Sequence, residues 1–372
     1  PSLAWLNKFK QWLKKQRKQP EQANEQTMVC SLQAVTPKRL IPLAKIRTLF
    51  GGPFVPLPPE EALSRLLRAH ALQKRQFHPP KWLEQGHDKN SPAIIHLPDT
   101  TTPILVGDLH ANLDHLLTLL TSDDILDGLA KEQVTLILLG DAVHPDRVEA
   151  LGEMTGSMLM MDLIFSLIIQ FPGRIVYLRG NHDGFAEDIY KGGICQGILW
   201  QECLLQARGA EYVTALQAWY DDLPYIVTHA KVVACHAAPF LAKVDRTILS
   251  KLRHYPDLLQ QLTWTRLCNA QHPDGYTGKD VKRFRQALRL SRYLPMVVGH
   301  TPLDEERTCW LHAGDVDNHH VLYGGHPQRM GWLTWYKDKL FLRESRVEPL
   351  SKEALDHEKE GRSSESTSGD GD

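Results

Sequence analysis

Cysteine is scarce in this 372-residue sequence, and none of it forms a Cys-x-x-Cys pair. The six cysteines are scattered at positions 30, 195, 203, 235, 268 and 309. Disulfide-rich secreted domains and structural zinc sites both need cysteines that are dense or closely paired. The spacing therefore argues against both, and it favours a reducing cytosol, so we expect a cytoplasmic protein.

Excess charge and long apolar runs are also missing. The 43 basic and 44 acidic residues give a formal net charge of −1, whereas a general nucleic-acid binder carries a clear basic excess. We therefore expect no specific nucleic-acid partner. The most apolar stretch, 157–171, is about 15 residues long and contains Asp162. A helix needs about 20 apolar residues to cross a bilayer, so we predict no transmembrane segment.

What the sequence does contain is one local pattern that occurs five times. A short apolar run, typical of a buried strand, ends at a side chain that can bind a metal or carry a proton. The runs are 104–106, 135–139, 175–178, 232–235 and 296–298. Ligands in open α/β sheets gather at the carboxyl ends of strands, so we expect these five ends to converge on one site.

The side chains at these ends comprise three histidines, two carboxylates and one amide. A set of this composition suits a pair of divalent ions that share a bridging carboxylate. Any one of the histidines alone would more simply be a structural residue. The set consists of Asp108, His110, Asp141, Asn181, His236 and His300.

The order of these blocks resembles that of the calcineurin-like metallophosphoesterases, in the branch that contains the serine/threonine protein phosphatases. That family reads Gly-Asp-x-His, Gly-Asp, Gly-Asn-His-Glu/Asp, a lone His after a strand, and a final Gly-His or Ala-His. This sequence has all five blocks in that order between about residues 103 and 301. The resemblance implies an α/β fold, a four-layer sandwich of two mixed β-sheets flanked by helices.

The resemblance also implies a role for each residue. Asp108 and His110 would hold the first metal, Asp141 would bridge both metals, and the second would be completed by Asn181, His236 and His300. A hydroxide bridging the metals would attack phosphorus. His182 would be the general acid that protonates the leaving oxygen. We expect manganese first, with iron or zinc as alternatives, because histidine and carboxylate ligands admit all three.

The second block departs from the family pattern. The family reads Gly-Asp-x-Val-Asp-Arg-Gly there, with an aspartate that orients the general acid and an arginine that binds phosphate. In this chain His144 and Pro145 take those two places. Asp146 and Arg147 follow two residues later, and we expect them to supply the same groups if the loop bulges.

Two other arginines are candidate phosphate ligands, because a guanidinium group matches phosphate with two parallel hydrogen bonds. Arg179 begins the Arg-Gly-Asn-His block, as in the family, although it would equally suit a structural ion pair. Arg266 lies in the stretch between the fourth and fifth blocks.

A histidine-rich region follows the last block and comprises His312, His319, His320 and His326. Residues 321–325, Val-Leu-Tyr-Gly-Gly, are similar to a strand and turn of bacterial dinucleoside-tetraphosphate hydrolases. We predict a strand and a loop that border the pocket. A third metal among these histidines is the less favoured alternative.

The pattern divides the chain into four parts. Residues 1–26 predict a basic amphipathic helix and a linker, in which Trp5, Phe9 and Trp12 share one face. This helix would dock on an anionic membrane surface or a partner, or alternatively pack on the protein's own body. Residues 27–95 form an N-terminal extension packed on the core, 96–346 the catalytic domain, and 347–372 a disordered tail.

Three functions remain open on the sequence. The favoured one is hydrolysis of phosphate monoesters, with a phosphoprotein or a small phosphorylated metabolite as substrate. The second is hydrolysis of dinucleoside polyphosphates or other phosphoanhydrides, as the Tyr-Gly-Gly stretch suggests. The third is a catalytically weak metal-binding scaffold, because the second block is altered, although the intact Asn181-His182 pair argues against it. The sequence indicates no oligomeric state.

Overall fold

The structure, a computed structural model, describes residues 35–83 and 91–352. The helix predicted at 1–26, with Trp5, Phe9 and Trp12, lies outside the described residues, as do residues 353–372 of the predicted tail. Within the described ranges, every helix is too short or too polar to span a bilayer.

Two mixed sheets form the centre of the molecule. The six-stranded sheet has the order β1 (Ile94–His96), β7 (Ile226–His229), β8 (Val232–Cys235), β9 (Met296–Val298), β11 (His319–Leu322) and β10 (Cys309–Leu311). The five-stranded sheet has the order β13 (Lys339–Arg346), β12 (Arg329–Tyr336), β2 (Thr102–Val106), β3 (Val134–Leu138) and β4 (Ile175–Tyr177). The short strands β5 (Tyr190–Lys191) and β6 (Ile194–Cys195) pair separately as a hairpin.

Alternation of side chains along the strands explains why the two sheets pack face to face. Val227, Ala234 and Val297 point inward and share a core with residues of the five-stranded sheet such as Leu105 and Ile137. Their sequence neighbours Ile226, Val233 and Met296 point outward, into a second core beneath helices. The four-layer α/β sandwich predicted from the sequence is therefore confirmed.

Helices cover both outer faces. They are α1 (Leu40–Phe50), α2 (Pro59–Gln76), α3 (Leu113–Leu120), α4 (Ile125–Ala130), α5 (Thr155–Gln170), α6 (Gln196–Asp222), α7 (Arg246–Ser250), α8 (Pro256–Trp264) and α9 (Gly278–Ala287). Helix α2, which belongs to the predicted N-terminal extension, packs against α5 and α6. The sequence predicts one long helical stretch over 149–171, but helix α5 starts only at Thr155, because residues 148–150 form a separate 3-10 turn.

The last strands are longer than predicted. Apolar residues in the sequence predict the last strands at 321–323, 332–336 and 339–342, but β11 already begins at His319 and β13 continues to Arg346. The ladder between β12 and β13 runs from Tyr336↔Lys339 to Arg329↔Arg346, so backbone pairing extends beyond the apolar residues that indicated the strands.

The predicted tail begins too early. Residues 347–352 are attached to the body, because Glu348 accepts a hydrogen bond from Arg39 Nε at 3.0 Å and Leu350 is fully buried. Arg39 is itself buried and needs a counter-charge. The charge and polarity of this segment resemble those of a solvated tail, and only the distant partner distinguishes the two cases.

Candidate active site

The loops after five strands meet at one edge of the two sheets. Strand β2 leads to Asp108 and His110, and β3 leads to Asp141. Strand β4 leads to Asn181, β8 to His236 and β9 to His300. Two groups of metal-competent atoms result, each with all its ligand atoms within 4.8 Å of one another. They are Asp108-His110-Asp141 and Asp141-His236-His300, so Asp141 belongs to both.

Two of the histidines are held so that a nitrogen lone pair faces the cluster. His236 Nδ1 lies 2.7 Å from the carbonyl oxygen of Leu139, and His110 Nδ1 lies 3.0 Å from that of His144. A carbonyl only accepts, so each Nδ1 carries a proton, and each Nε2 is the ring nitrogen that faces the cluster and would bind a metal there. His236 Nε2 lies 2.9 Å from Asn181 Oδ1 and 3.4 Å from Asp141 Oδ2.

The buried carboxylates of the cluster favour the binding of positive charge. Asp108 and Asp141 are both buried, and burial raises the pKa of Asp108. Burial alone would lower the pKa of His236, but the carboxylates of Asp141 and Asp108 outweigh it and raise that pKa to about 9. Two adjacent buried carboxylates are costly without cations. The donor set and its oriented imidazoles therefore fit divalent metal ions.

Three of the candidate ligands have left-handed backbone conformations that side chains rarely adopt. The φ angles are 44° at His110, 51° at Asp141 and 67° at His300. The His300 N–H donates to both carboxylate oxygens of Asp108 at 3.1 Å, which links the first and last blocks. Strained backbone of this kind persists only where the surrounding structure stabilises it, and it is frequent at functional sites.

The glycines that precede two of the blocks leave room for the carboxylates. A methyl group on Gly180 would overlap Asp141 Oδ1, and one on Gly299 would overlap Asp108 Oδ1. At these two blocks the glycine before the candidate ligand therefore has a steric reason, and in each case the carboxylate follows a different strand from the glycine.

His182 lies beside both ligand groups. Its backbone N–H donates to Asp141 Oδ1 at 2.8 Å, and its ring packs edge-on against that of His110 with centroids 5.3 Å apart. Burial lowers the pKa of His182 to about 4. The position suits the predicted general acid, and that role stays a prediction.

Asp183 supports this loop, a role that the sequence analysis did not assign. Its buried carboxylate accepts hydrogen bonds from Gly180 N at 2.7 Å, Asp141 N at 3.2 Å and the Tyr177 hydroxyl at 2.6 Å. Burial, followed by the charge of Asp141, raises its pKa to about 6. The signal was present in the Asn-His-Asp block, but nothing local indicated the partners.

The structure does not join Asp146 to His182. Asp146 Oδ2 accepts a hydrogen bond from the Tyr323 hydroxyl, and His182 Nδ1 has no hydrogen-bond partner in the described part of the chain. Arg147 is exposed. The ring of His144 also lies beside that of His182, with centroids 5.5 Å apart. Tyr323, from the predicted Tyr-Gly-Gly turn, borders the cluster through His110, because the centroids of their rings are 6.4 Å apart.

The two candidate phosphate-binding arginines have different neighbours. Arg266 Nη1 donates to Thr301 Oγ1 at 2.9 Å, directly beside the ligand His300. The Arg179 guanidinium packs 5.5 Å from the Tyr220 ring centroid and 3.9 Å from the carboxylate of Asp221. Arg179 also lines a groove of about 250 Å³, together with Asn181, Phe185, Gln217 and Trp264.

The histidine-rich region offers little to a third metal. His320 Nδ1 accepts a hydrogen bond from His312 N, and His312 Nδ1 accepts one from Asn318 N, both at 3.3 Å. Each neutral ring then carries its proton on Nε2, so that nitrogen has no lone pair for a metal. His319 Nε2 lies 2.9 Å from the Tyr276 hydroxyl. His326 Nδ1 accepts from the backbone N–H of residues 328 and 329.

Comparisons with known proteins agree with the family resemblance of the sequence blocks. The family model of calcineurin-like phosphoesterases matches residues 102–341. Among solved structures, a protein serine/threonine phosphatase from Saccharomyces cerevisiae with similarity to human phosphatase PP5 superposes with a TM-score of 0.55 at 12% identity. That match covers 77% of this chain and 90% of the yeast chain.

A cold-active protein-tyrosine phosphatase of a psychrophilic Shewanella species gives a TM-score of 0.46 at 15% identity, over 68% of this chain and 83% of its own. No curated protein sequence gives a significant match. The family model covers well over half of the chain, and the yeast structure shares its fold. The chain belongs to the calcineurin-like phosphoesterases, a family of metal-dependent hydrolases of phosphoric ester bonds.

Proposed function

We propose that this protein hydrolyses phosphate monoesters with two divalent metal ions, of which manganese is the first expectation. The observation that carries the proposal is the shared position of Asp141, which belongs to both ligand groups and also accepts the N–H of His182. When bound, two such ions supply positive charge to the phosphoryl oxygens and lower the pKa of the attacking water.

The chain's own residues would divide this work. Asp108 and His110 would hold the first ion, and Asn181, His236 and His300 the second, with Asp141 between them. His110 and His236 are already oriented by the carbonyl groups that accept from their Nδ1 atoms. Oriented ligands lose less entropy on binding, which favours tight and well-placed ions.

His182 would act on the leaving group. As the bond between phosphorus and the ester oxygen breaks, a proton would pass from His182 Nε2 to that oxygen. The backbone N–H of His182 donates to Asp141 Oδ1. This hydrogen bond would hold His182 next to the carboxylate that both ligand groups share. Proton transfer by a positioned side chain typically contributes about 10²- to 10⁴-fold to the rate.

Arg266 and Arg179 would bind the substrate's phosphoryl or neighbouring groups. Arg266 is anchored through Thr301 next to His300, which places a cation at the edge of the ligand cluster. Arg179 lines the groove that begins at Asn181. Asp146 and Arg147, the other predicted pair, would assist substrate binding, with Asp146 held by its hydrogen bond from the Tyr323 hydroxyl.

The test is hydrolysis of p-nitrophenyl phosphate by protein stripped with a chelator, with manganese added back. We expect activity to return with manganese, and to fall more than about 100-fold in Asp141→Asn and His182→Ala. The matched controls are the exposed residues in Asp274→Asn and His254→Ala, which should keep it. Unchanged hydrolysis in Asp141→Asn would rule out the two-metal proposal.

A substrate panel separates the remaining alternatives. Phosphopeptides and small phosphorylated metabolites should be hydrolysed faster than diadenosine tetraphosphate if the protein is a phosphomonoesterase. Preference for diadenosine tetraphosphate would favour the phosphoanhydride hydrolase that the Tyr-Gly-Gly stretch suggested. Two bound metals by elemental analysis, with no turnover of any substrate, would favour the scaffold.

A further inference from the structure

Two histidine side chains next to the ligand cluster have buried nitrogen atoms that lack partners. The ring of His144 is fully buried, and neither of its nitrogens has a hydrogen-bond partner in the described residues. His182 Nδ1 is likewise buried and unpaired there. A buried polar group without a hydrogen bond costs about 1 to 3 kcal/mol, so three such atoms in adjacent rings need an explanation.

The fold holds His144 firmly in this position. Its backbone N–H donates to the buried hydroxyl of Ser157 at 3.0 Å, and its carbonyl oxygen is 3.0 Å from Nδ1 of the ligand His110. Its φ angle is 64°, in the left-handed region. Behind the ring lies Trp200, whose ring is perpendicular at a centroid distance of 6.4 Å. The imidazole is thus confined between Trp200 and His182.

The distance between the two imidazoles fits a direct hydrogen bond. Their centroids are 5.5 Å apart and their planes make an angle of 64°. A nitrogen–nitrogen hydrogen bond of about 3 Å between two imidazoles places the centroids roughly 5 to 5.5 Å apart. The separation of the rings therefore leaves room for His182 Nδ1 to pair with a nitrogen of His144.

We infer that His144 is a positioning residue that accepts the Nδ1–H of His182 and so aims His182 Nε2 at the leaving oxygen. This inference rests on the proposed function. Charged His182 carries a proton on each nitrogen, and the Nε2 proton passes to the ester oxygen as the bond to phosphorus breaks. Neutral His182 keeps its Nδ1–H on His144, and no other proton moves. Two like charges repel in a buried contact, so His144 stays neutral throughout.

A positioning role predicts a selective defect. Esters with a good leaving group need little protonation, whereas esters with a poor leaving group depend on it. Loss of the acceptor on His144 should therefore slow poor substrates more than good ones. A purely structural role would slow both alike, because it would disturb the ligand cluster as a whole.

The experiment compares kcat/KM for phenyl phosphate and 2,4-dinitrophenyl phosphate in the manganese-loaded enzyme. In His144→Phe, which keeps a ring but removes both nitrogens, we expect the phenyl phosphate rate to fall at least about tenfold more than the dinitrophenyl phosphate rate. His144→Gln, which restores an acceptor, should recover part of that selectivity. Trp200→Phe is the packing control, and it should lower both rates by similar factors.

The possible outcomes distinguish a failure of this inference from a failure of the proposed function. Equal losses on both esters in His144→Phe would overturn the positioning role and leave the phosphatase intact. A wild-type enzyme that hydrolyses neither ester would instead contradict the proposed function. Should His144→Phe not fold, nuclear magnetic resonance of the wild-type protein loaded with zinc still decides. We expect a nitrogen–nitrogen coupling across the His144–His182 hydrogen bond, and its absence would overturn the inference.

Discussion

The backbone N–H of His182 donates to Asp141 Oδ1 at 2.8 Å, although 41 residues separate the two in the chain. The carboxylate that both ligand groups share therefore also fixes the residue beside them. Asp183 stabilises the same arrangement, because its carboxylate accepts hydrogen bonds from the N–H groups of both Asp141 and Gly180. Metal binding and the placement of the candidate acid would consequently be coupled through one side chain.

Gly180→Ala should disrupt this coupling without unfolding the protein. The added methyl would overlap Asp141 Oδ1 and displace the carboxylate. A misplacement of about 1 Å typically costs about 100-fold in rate, so we expect that loss in kcat/KM together with weaker manganese binding by calorimetry. In the control Gly128→Ala, the methyl would meet only the Val134 side chain, at 3.2 Å, and activity should persist. Full activity in Gly180→Ala would show that the Asp141 position is not critical.

Arg208→Met should be strongly destabilising. Arg208 and Asp162 form a buried two-pronged ion pair with distances of 2.7 and 2.5 Å, and both side chains are 1% exposed. Removing the cation leaves the carboxylate buried and unpaired, which costs about 3 to 5 kcal/mol in the free energy of unfolding. Urea denaturation measures this change.

Two further variants make that result specific. The double variant Asp162→Leu/Arg208→Met removes both charges and should be less destabilised than Arg208→Met alone. Lys45→Met breaks the exposed pair between Lys45 and Asp127, and it should change the free energy of unfolding far less than Arg208→Met does. A single variant no more destabilised than the double one would contradict the buried-charge argument.

Leu350→Ala tests the attachment of residues 347–352. Leu350 is fully buried, so truncation should lower the free energy of unfolding by about 2 to 5 kcal/mol. Leu67→Ala is the matched control, because Leu67 is 50% exposed and its truncation should cost less than about 1 kcal/mol. Equal effects in urea denaturation would mean that this segment contributes nothing to the core.

The stability of the protein should fall as the pH drops below 6.5. Burial lowers the pKa of His319 to about 3 and that of His320 to about 4. Below pH 6.5 the unfolded chain binds protons at these rings while the folded chain does not, so acid favours unfolding. Each ring contributes a slope of up to about 1.4 kcal/mol per pH unit between pH 6.5 and its folded pKa.

Urea midpoints at pH 6.5, 5.5 and 4.5 measure that slope, and a variant isolates the share of one ring. His320→Gln does not titrate, so its slope should be shallower by up to about 1.4 kcal/mol per pH unit. His254→Gln changes an exposed histidine and should keep the wild-type slope. Parallel slopes for wild type and His320→Gln would refute the assignment to His320.

Five strands, the candidate side chains at their ends and the family could all be recognised from the sequence alone. These features are local. A short apolar run followed by Gly-Asp or Gly-His indicates both where a strand ends and which side chain follows it. Convergence follows from a general property of α/β sheets, so the ligand set could be named before any distance was known. The fold class followed from the same blocks.

The residues that support the candidate ligands became evident from the folded structure alone. Tyr323 and Asp146 are 177 residues apart, and Arg39 and Glu348 are 309 apart, so no local pattern relates them. Asp146 looked like the partner of His182 from its position in the chain, whereas packing places His144 there. Partner choice depends on burial, which penalises unpaired polar atoms, and burial is a property of the assembled core rather than of any short stretch.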